Sequence, residues 1–208
     1  MSQLLVGRAN EQHIKWPMLH GMFRLRDEVF HKRLGWDVQS RQGLERDQYD
    51  ELSPVYVLAR GGNNAIVACG RLLPTTGPYM LRDTFPELLR GEPAPEDPRV
   101  WEVSRFAVKT LSGEDKEQLN LGYTSLKMIQ AATDFATHNG IKAFVLVTSV
   151  AIERLLRKGG IPLCRFGDGK AVQIGKVLSV ACWIHVNEAY VHVVDQNVSH
   201  YEVERRAA

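Results

Sequence analysis

LNLGYTSLKMIQAATDFATHNGIKAFVLVTSVAIERLLRKGG, from Leu119 to Gly160, places a helix, a buried strand and a second helix in one run. Leu119 to Asn139 carries the helical period and ends on Asn139-Gly140, a stop signal. Ala143 to Thr148 is continuously apolar, as a strand covered on both faces must be. Ala151 to Lys158 returns to the helical period, and Gly159-Gly160 stops it. Upstream, Val55–Arg60 and Ala65–Leu73 are strands around the turn Gly61-Gly62-Asn63-Asn64. Trp101–Val108 is a third strand and Val177–Val186 another, while the end of the chain from Asn187 is ambiguous. Helices alternating with five or more strands predict a three-layer α/β/α sandwich with a mixed central sheet.

Gln12 to Leu34 predicts one or two amphipathic helices, stopped by Gly35. Asp37–Ser53 is polar and aperiodic and reads as a long functional loop. Leu81–Leu89 reads as a short helix, and Glu92–Pro98 as a proline-rigid loop. The 208 residues suffice for a single domain spanning 1–208.

Lys and Arg total 26 against 24 Asp and Glu, a net charge of +2, which argues against a nucleic-acid binder. The odd set Cys69, Cys164 and Cys182, each among apolar or small neighbours, predicts buried free thiols of a reducing compartment. No apolar run is long enough for a signal peptide or a membrane span, so a soluble cytoplasmic protein is expected. No histidine or cysteine pattern suggests a metal, and no G-x-G-x-x-G, Walker or G-x-S-x-G loop is present.

The chemistry concentrates in three places. Arg26 and Phe30 are four apart on one helix face, Trp36 follows the helix end, and Glu45, Asp47 and Asp50 follow in the loop. That set suits a ligand that is part cation and part flat ring; equally, Arg–Asp pairs pin the loop with Trp36 as a plug. Arg71, Glu102 and Arg105 are charges inside apolar strands. In a regular strand, Glu102, Ser104 and Phe106 share one face and Trp101, Val103 and Arg105 the other. Either Arg71 or Arg105 forms a structural ion pair with Asp47 or Asp50, or Glu102 is a base in a cleft and the arginines position carboxylates; both can hold together. From Val150 to Lys176, six basic residues stand against two acidic ones, either a solvated face or a docking patch for an acidic partner.

Arg26, Phe30, Trp36, Asp47, Asp50, Arg71, Glu102 and Arg105, in this order, resemble the pattern of the LuxI-type acyl-homoserine lactone synthases. The strings ERDQYD (Glu45–Asp50), RLLPTTGPYML (Arg71–Leu81) and WEVSRFAV (Trp101–Val108) are similar to the family as well, closest to its LasI-type members. The match spans roughly Phe23 to Val186. The resemblance implies a sandwich related to the GCN5-type N-acetyltransferases. It implies quorum-sensing signal synthesis from S-adenosylmethionine and an acyl-acyl carrier protein, with release of methylthioadenosine and no further cofactor. It assigns Glu102, Arg105, Asp47 and Asp50 to catalysis, and Arg26, Phe30, Trp36, Arg71, Ser104 and Phe106 to adenosylmethionine. It assigns Leu146 and Thr148 to the acyl pocket, and Arg154, Arg157 and Lys158 to carrier docking. Leu146 stands where a Ser or Thr accompanies 3-oxo products, so a medium or long chain without the 3-oxo group is expected. An acetyl-CoA enzyme would carry a Q/R-x-x-G-x-G/A loop, and SGEDKEQLNLGY (Ser112–Tyr123) has none. A regulator that kept the scaffold would show damaged site residues.

Overall fold

Two charged strands and one loop have to meet at a point, and the sheet order brings them there. The computed structural model describes residues 3–9, 11, 14–109 and 121–207. In chain order the elements are β1 (Gln3–Arg8), α1 (Trp16–Arg26), β2 (Ser40–Arg41), β3 (Leu44–Glu45), β4 (Val55–Arg60) and β5 (Ile66–Pro74). Then come α2 (Met80–Asp83), β6 (Val100–Val108), α3 (Tyr123–His138), β7 (Ala143–Ser149) and α4 (Val150–Lys158). β8 (Cys164–Arg165), β9 (Val172–Ile174), β10 (Val177–His185) and α5 (Glu188–Ala207) complete the chain. The main sheet runs β1-β4-β5-β6-β7-β10-β8, with β9 also on β10. Only the β6–β7 pair is parallel among its pairings in the described residues.

Each face of the sheet is covered. On one side Met22, Phe23 and Phe30 pack on Tyr56, Leu58, Cys69 and Ala107. Beside them Tyr79, Leu81 and Leu88 pack on Val145 and Ala181. On the other side Met128 and Ala131 of α3, Leu156 of α4 and Tyr190 of α5 cover Val57, Leu72, Phe144 and Cys182. The alternation of β7 divides accordingly, with Val145 and Val147 toward α2 and Leu146 toward α3. Burial of these apolar side chains is the main favourable term holding the layers.

The β6–β7 ladder is short. It pairs Val100 with Ala143 through Val103 with Leu146 and stops there, although both strands continue to Val108 and Ser149. Past that point β6 and β7 make no further pair among the described residues. α4 starts at the far end of β7, its first turn capped by Ser149 Oγ, which accepts from the Ile152 N–H at 3.2 Å.

Several expectations change. The predicted helix Leu81–Leu89 is two pieces, α2 and a 3₁₀ turn at Pro86–Leu89, because Pro86 cannot continue a helix. The loop Asp37–Ser53 is ordered by the β2–β3 hairpin and a 3₁₀ turn at Gln48–Leu52. The first helix passes from α form into a π-helical stretch at Asp27–Arg33, which Gly35 closes at φ +61°. β1 and the short strands β8 and β9 were not expected, and the ambiguous end is α5. Cys69 and Cys182 are buried as expected, but Cys164 is exposed on the short strand β8. Gln12, Leu119, Asn120 and most of the Ser112–Tyr123 string lie outside the described residues.

Candidate active site

The 3₁₀ turn after β3 is built by its own acids. The Asp47 carboxylate accepts from the Tyr49 N–H at 3.0 Å, and the Asp50 carboxylate accepts from the Asp47 N–H at 2.9 Å. This reciprocal capping turns both side chains inward. There they meet Arg26 from the end of α1 and Arg71 from β5. Arg26 Nη1 and Nη2 reach the two oxygens of Asp50 at 2.8 and 3.0 Å, and its Nε bonds Glu45. Arg71 Nη1 bonds Asp47 and Asp50, its Nη2 bonds Asp47, and its Nε donates to Ser104 Oγ at 3.2 Å.

Arg105 joins the same cluster through an irregularity of β6. Cys69 pairs with Ala107 and Arg71 with Ser104, so two steps on β5 face three on β6. The extra residue is Arg105, held at φ +52°, a backbone region that L side chains rarely adopt. This bulge corrects the regular alternation. Arg105 lies on the face of Glu102 and Ser104, where it bonds Glu45 at 3.0 Å and Asp47 at 2.8 Å. Its guanidinium also sits 5.5 Å from the centre of the Phe30 ring. Phe106 goes to the opposite face, against Gly70 and beside Met128.

Three guanidiniums and three carboxylates thus cancel in a buried block. Burial opposes the Arg26 charge, yet Asp50 and Glu45 hold its pKa above the ordinary arginine value. Burial likewise raises Asp50, but Arg26 and Arg71 beside it hold its carboxyl well below the usual range. Asp50 accepts five bonds in all, the last from the Tyr56 hydroxyl at 2.9 Å. Arg26, Arg71 and Asp50 have fully sealed side chains. Assigned by the resemblance to the substrate or to catalysis, these three are saturated inside the block, where they fix the loop, the pinning by Arg–Asp pairs that the sequence offered as its other reading.

Glu102 stands outside this balance. Its oxygens accept from the backbone N–H groups of Met80 at 3.0 Å and Leu81 at 2.6 Å. Burial raises its pKa, against the pull of those N–H groups and of Arg71 and Ser104. Each oxygen keeps lone-pair capacity beyond its backbone bond. Nearby, Phe30 and Trp36 stack at 5.2 Å, and Trp36 is half-buried, so its outer part meets solvent. Leu146 and Thr148 lie across the sheet, on the α3 side with Phe106, where the β6–β7 ladder ends.

Arg154, Arg157 and Lys158 are exposed on α4. Arg157 is not a free charge, since it pairs with the buried Glu153 at 2.9 Å, as does Arg165. Asp168 is taken by Arg90 and Lys170. Sequence reasoning passed over Glu45 as a partner, and it passed over Tyr56 and Met80 altogether. The spacing of two between Glu45 and Asp47 was the available signal for the first. Among the described residues, no group of His, Cys, Asp and Glu is placed to hold a metal ion, and no helix is long and apolar enough to cross a membrane.

The autoinducer synthase family profile matches residues 11–194. An acyl-homoserine-lactone synthase of Pseudomonas aeruginosa is 40% identical over 184 residues, which cover 88% of each chain. The crystal structure of the synthase LasI superposes with a TM-score of 0.83 at 34% identity, covering 93% of this chain and 94% of that one. BjaI, described as a CoA-dependent acyl-homoserine lactone synthase and solved with MTA or with SAM and isopentyl-CoA, gives 0.80 at 25% identity, covering 96% and 90%. A GNAT-family acetyltransferase of Staphylococcus aureus, 10% identical, superposes at 0.53 and shares the fold alone.

Proposed function

Since this chain belongs to the autoinducer synthase family and is an acyl-homoserine-lactone synthase, we propose that it acylates S-adenosylmethionine from an acyl carrier protein thioester. The observation that carries the reading is Glu102, a buried acid left over from a balanced ion block, one residue before the β6–β7 ladder ends. A cationic amine substrate brings the charge that this acid lacks. The solved BjaI complex with SAM supports the amine donor.

In the first step the amine nitrogen attacks the thioester carbonyl. The amine proton passes to Glu102 directly or through one water, the C–S bond breaks with its electron pair on sulfur, and the same proton is returned to that sulfur, so the carrier leaves as a thiol. In the second step an oxygen of the substrate displaces the sulfonium. Methylthioadenosine leaves with the bonding pair, and the lactone closes. Adenosylmethionine is consumed as a substrate, so no resident cofactor is needed. The block of Arg26, Arg71, Arg105, Glu45, Asp47 and Asp50 supplies rigidity, and holding the reacting atoms close and aligned is the larger part of such catalysis. The Phe30–Trp36 stack receives the adenine and sulfonium end. Leu146, Thr148 and Phe106 border the acyl chain, and the apolar Leu146 favours a medium or long chain without a 3-oxo group. The exposed arginines of α4 meet the acidic carrier.

A second donor is favoured by one observation, the CoA dependence of BjaI. The test incubates pure protein with adenosylmethionine and a panel of acyl carrier protein and CoA thioesters, read by mass spectrometry. Lactone and methylthioadenosine from the carrier thioesters are expected. Lactone from CoA thioesters alone moves the donor to CoA, and no lactone from any donor removes the reading.

A further inference from the structure

Met80 touches three groups of the site through two different parts of itself. Its backbone N–H donates to Glu102 at 3.0 Å. Its sulfur lies 3.1 Å from Arg71 Nη2 and 3.2 Å from Arg105 Nη1. Its side chain packs with Tyr49 and Leu73 and is buried. Packing alone asks for no sulfur there, since leucine has a similar volume. The donor inventory does ask for one. Arg105 spends Nε and Nη2 on Glu45 and Asp47, which leaves Nη1 to the sulfur. A thioether is a weak acceptor, but a buried N–H without any acceptor is costly.

We propose that Met80 is a positioning residue for this reaction. Its sulfur fixes the Arg105 guanidinium while its backbone fixes the Glu102 carboxylate, so both are held by one short element, α2. The proposal rests on the reading above, in which Glu102 faces the reacting amine. Arg105 is the strained residue of β6, and the sulfur is its contact on the α2 side.

The test compares Met80→Leu with Met80→Gln. Leucine keeps the packing and loses the acceptor; glutamine places an oxygen acceptor at similar reach. Turnover is measured with adenosylmethionine and the thioester giving most lactone. Met80→Leu should lower kcat about tenfold with KM for the thioester within about twofold, and Met80→Gln should recover most of it. On the same proteins, NMR hydrogen exchange of the Arg105 guanidinium and the Leu81 amide should quicken in Met80→Leu and slow again in Met80→Gln. A packing role gives the reverse order, with Leu like the parent and Gln impaired, and that order overturns the proposal. Absent turnover in the parent protein refutes the reaction, whereas the exchange rates still decide what the sulfur does.

Discussion

Arg26 and Asp50 face each other in a two-point pair, at 2.8 and 3.0 Å, with neither side chain reaching solvent. A buried pair is weak evidence of net stability, but removing one partner strands the other. Asp50→Asn should therefore cost about 3–5 kcal/mol in urea unfolding at neutral pH. A loss below about 1 kcal/mol would show that the loop is held by something else. The acid dependence has a fixed sign. The folded pKa of Asp50 is depressed, so its contribution is present above the unfolded value of about 3.9 and is lost as pH falls toward the folded one.

Glu102 shifts the other way. Burial raises its pKa, so its carboxylate form is lost at a higher pH than that of an ordinary glutamate. The acid limb of kcat/KM should lie above the usual glutamate value of about 4.3. Glu102→Gln should abolish that limb and lower kcat by roughly 10²–10⁴. Glutamine also turns an NH₂ toward the Met80 or Leu81 N–H, so melting is recorded on the same sample. A limb that persists in a folded Glu102→Gln protein assigns the proton to another group.

Leu146 has no hydroxyl to meet a second carbonyl. Leu146→Thr should raise the share of 3-oxo lactone, given mixed thioesters, by about 3- to 10-fold, the worth of one hydrogen bond. A parent protein that makes mainly 3-oxo product would sink the idea before the variant is needed.

The α4 arginines are unequal. Arg157 is paired with the buried Glu153, whereas Arg154 is exposed on the same helix. Arg154→Glu should raise KM for carrier thioesters about tenfold at low salt, and less at high salt. Arg157→Ala should do less, because Glu153 keeps Arg165. Equal effects, or a KM insensitive to salt, would place the docking surface elsewhere.

The five central strands β4, β5, β6, β7 and β10 were legible because their runs and turns are local, whereas the edge strands β1, β8 and β9 were not. The Ala143–Thr148 run reads as a covered strand, and β7 is one. The residues of the ion block could be named from sequence, and the pairing of Arg71 or Arg105 with Asp47 or Asp50 was one of its two readings, but the part of Glu45 was not. Arg105 escaped because alternation assumes an even ladder, and one extra residue turned its side chain across the sheet. For Arg26, Arg71 and Asp50 both readings stood open in the sequence, because burial decides between holding a substrate and holding a loop, and burial is not local. Pro86 was a visible breaker, and the predicted helix across it was misread. Met80 escaped because a methionine between apolar neighbours reads as core.

Where the β6–β7 ladder ends, the residues proposed for the two substrates fall on opposite faces of the sheet. Glu102 and Arg105 stand on one face of the sheet, and Leu146 and Phe106 on the other. On the proposed reading, the amine and the acyl chain arrive from opposite sides and meet where the ladder ends. A compound that fills the aromatic end should then leave the thioester free to enter, and inhibit it noncompetitively. A compound that occupies both sides would block both routes at once.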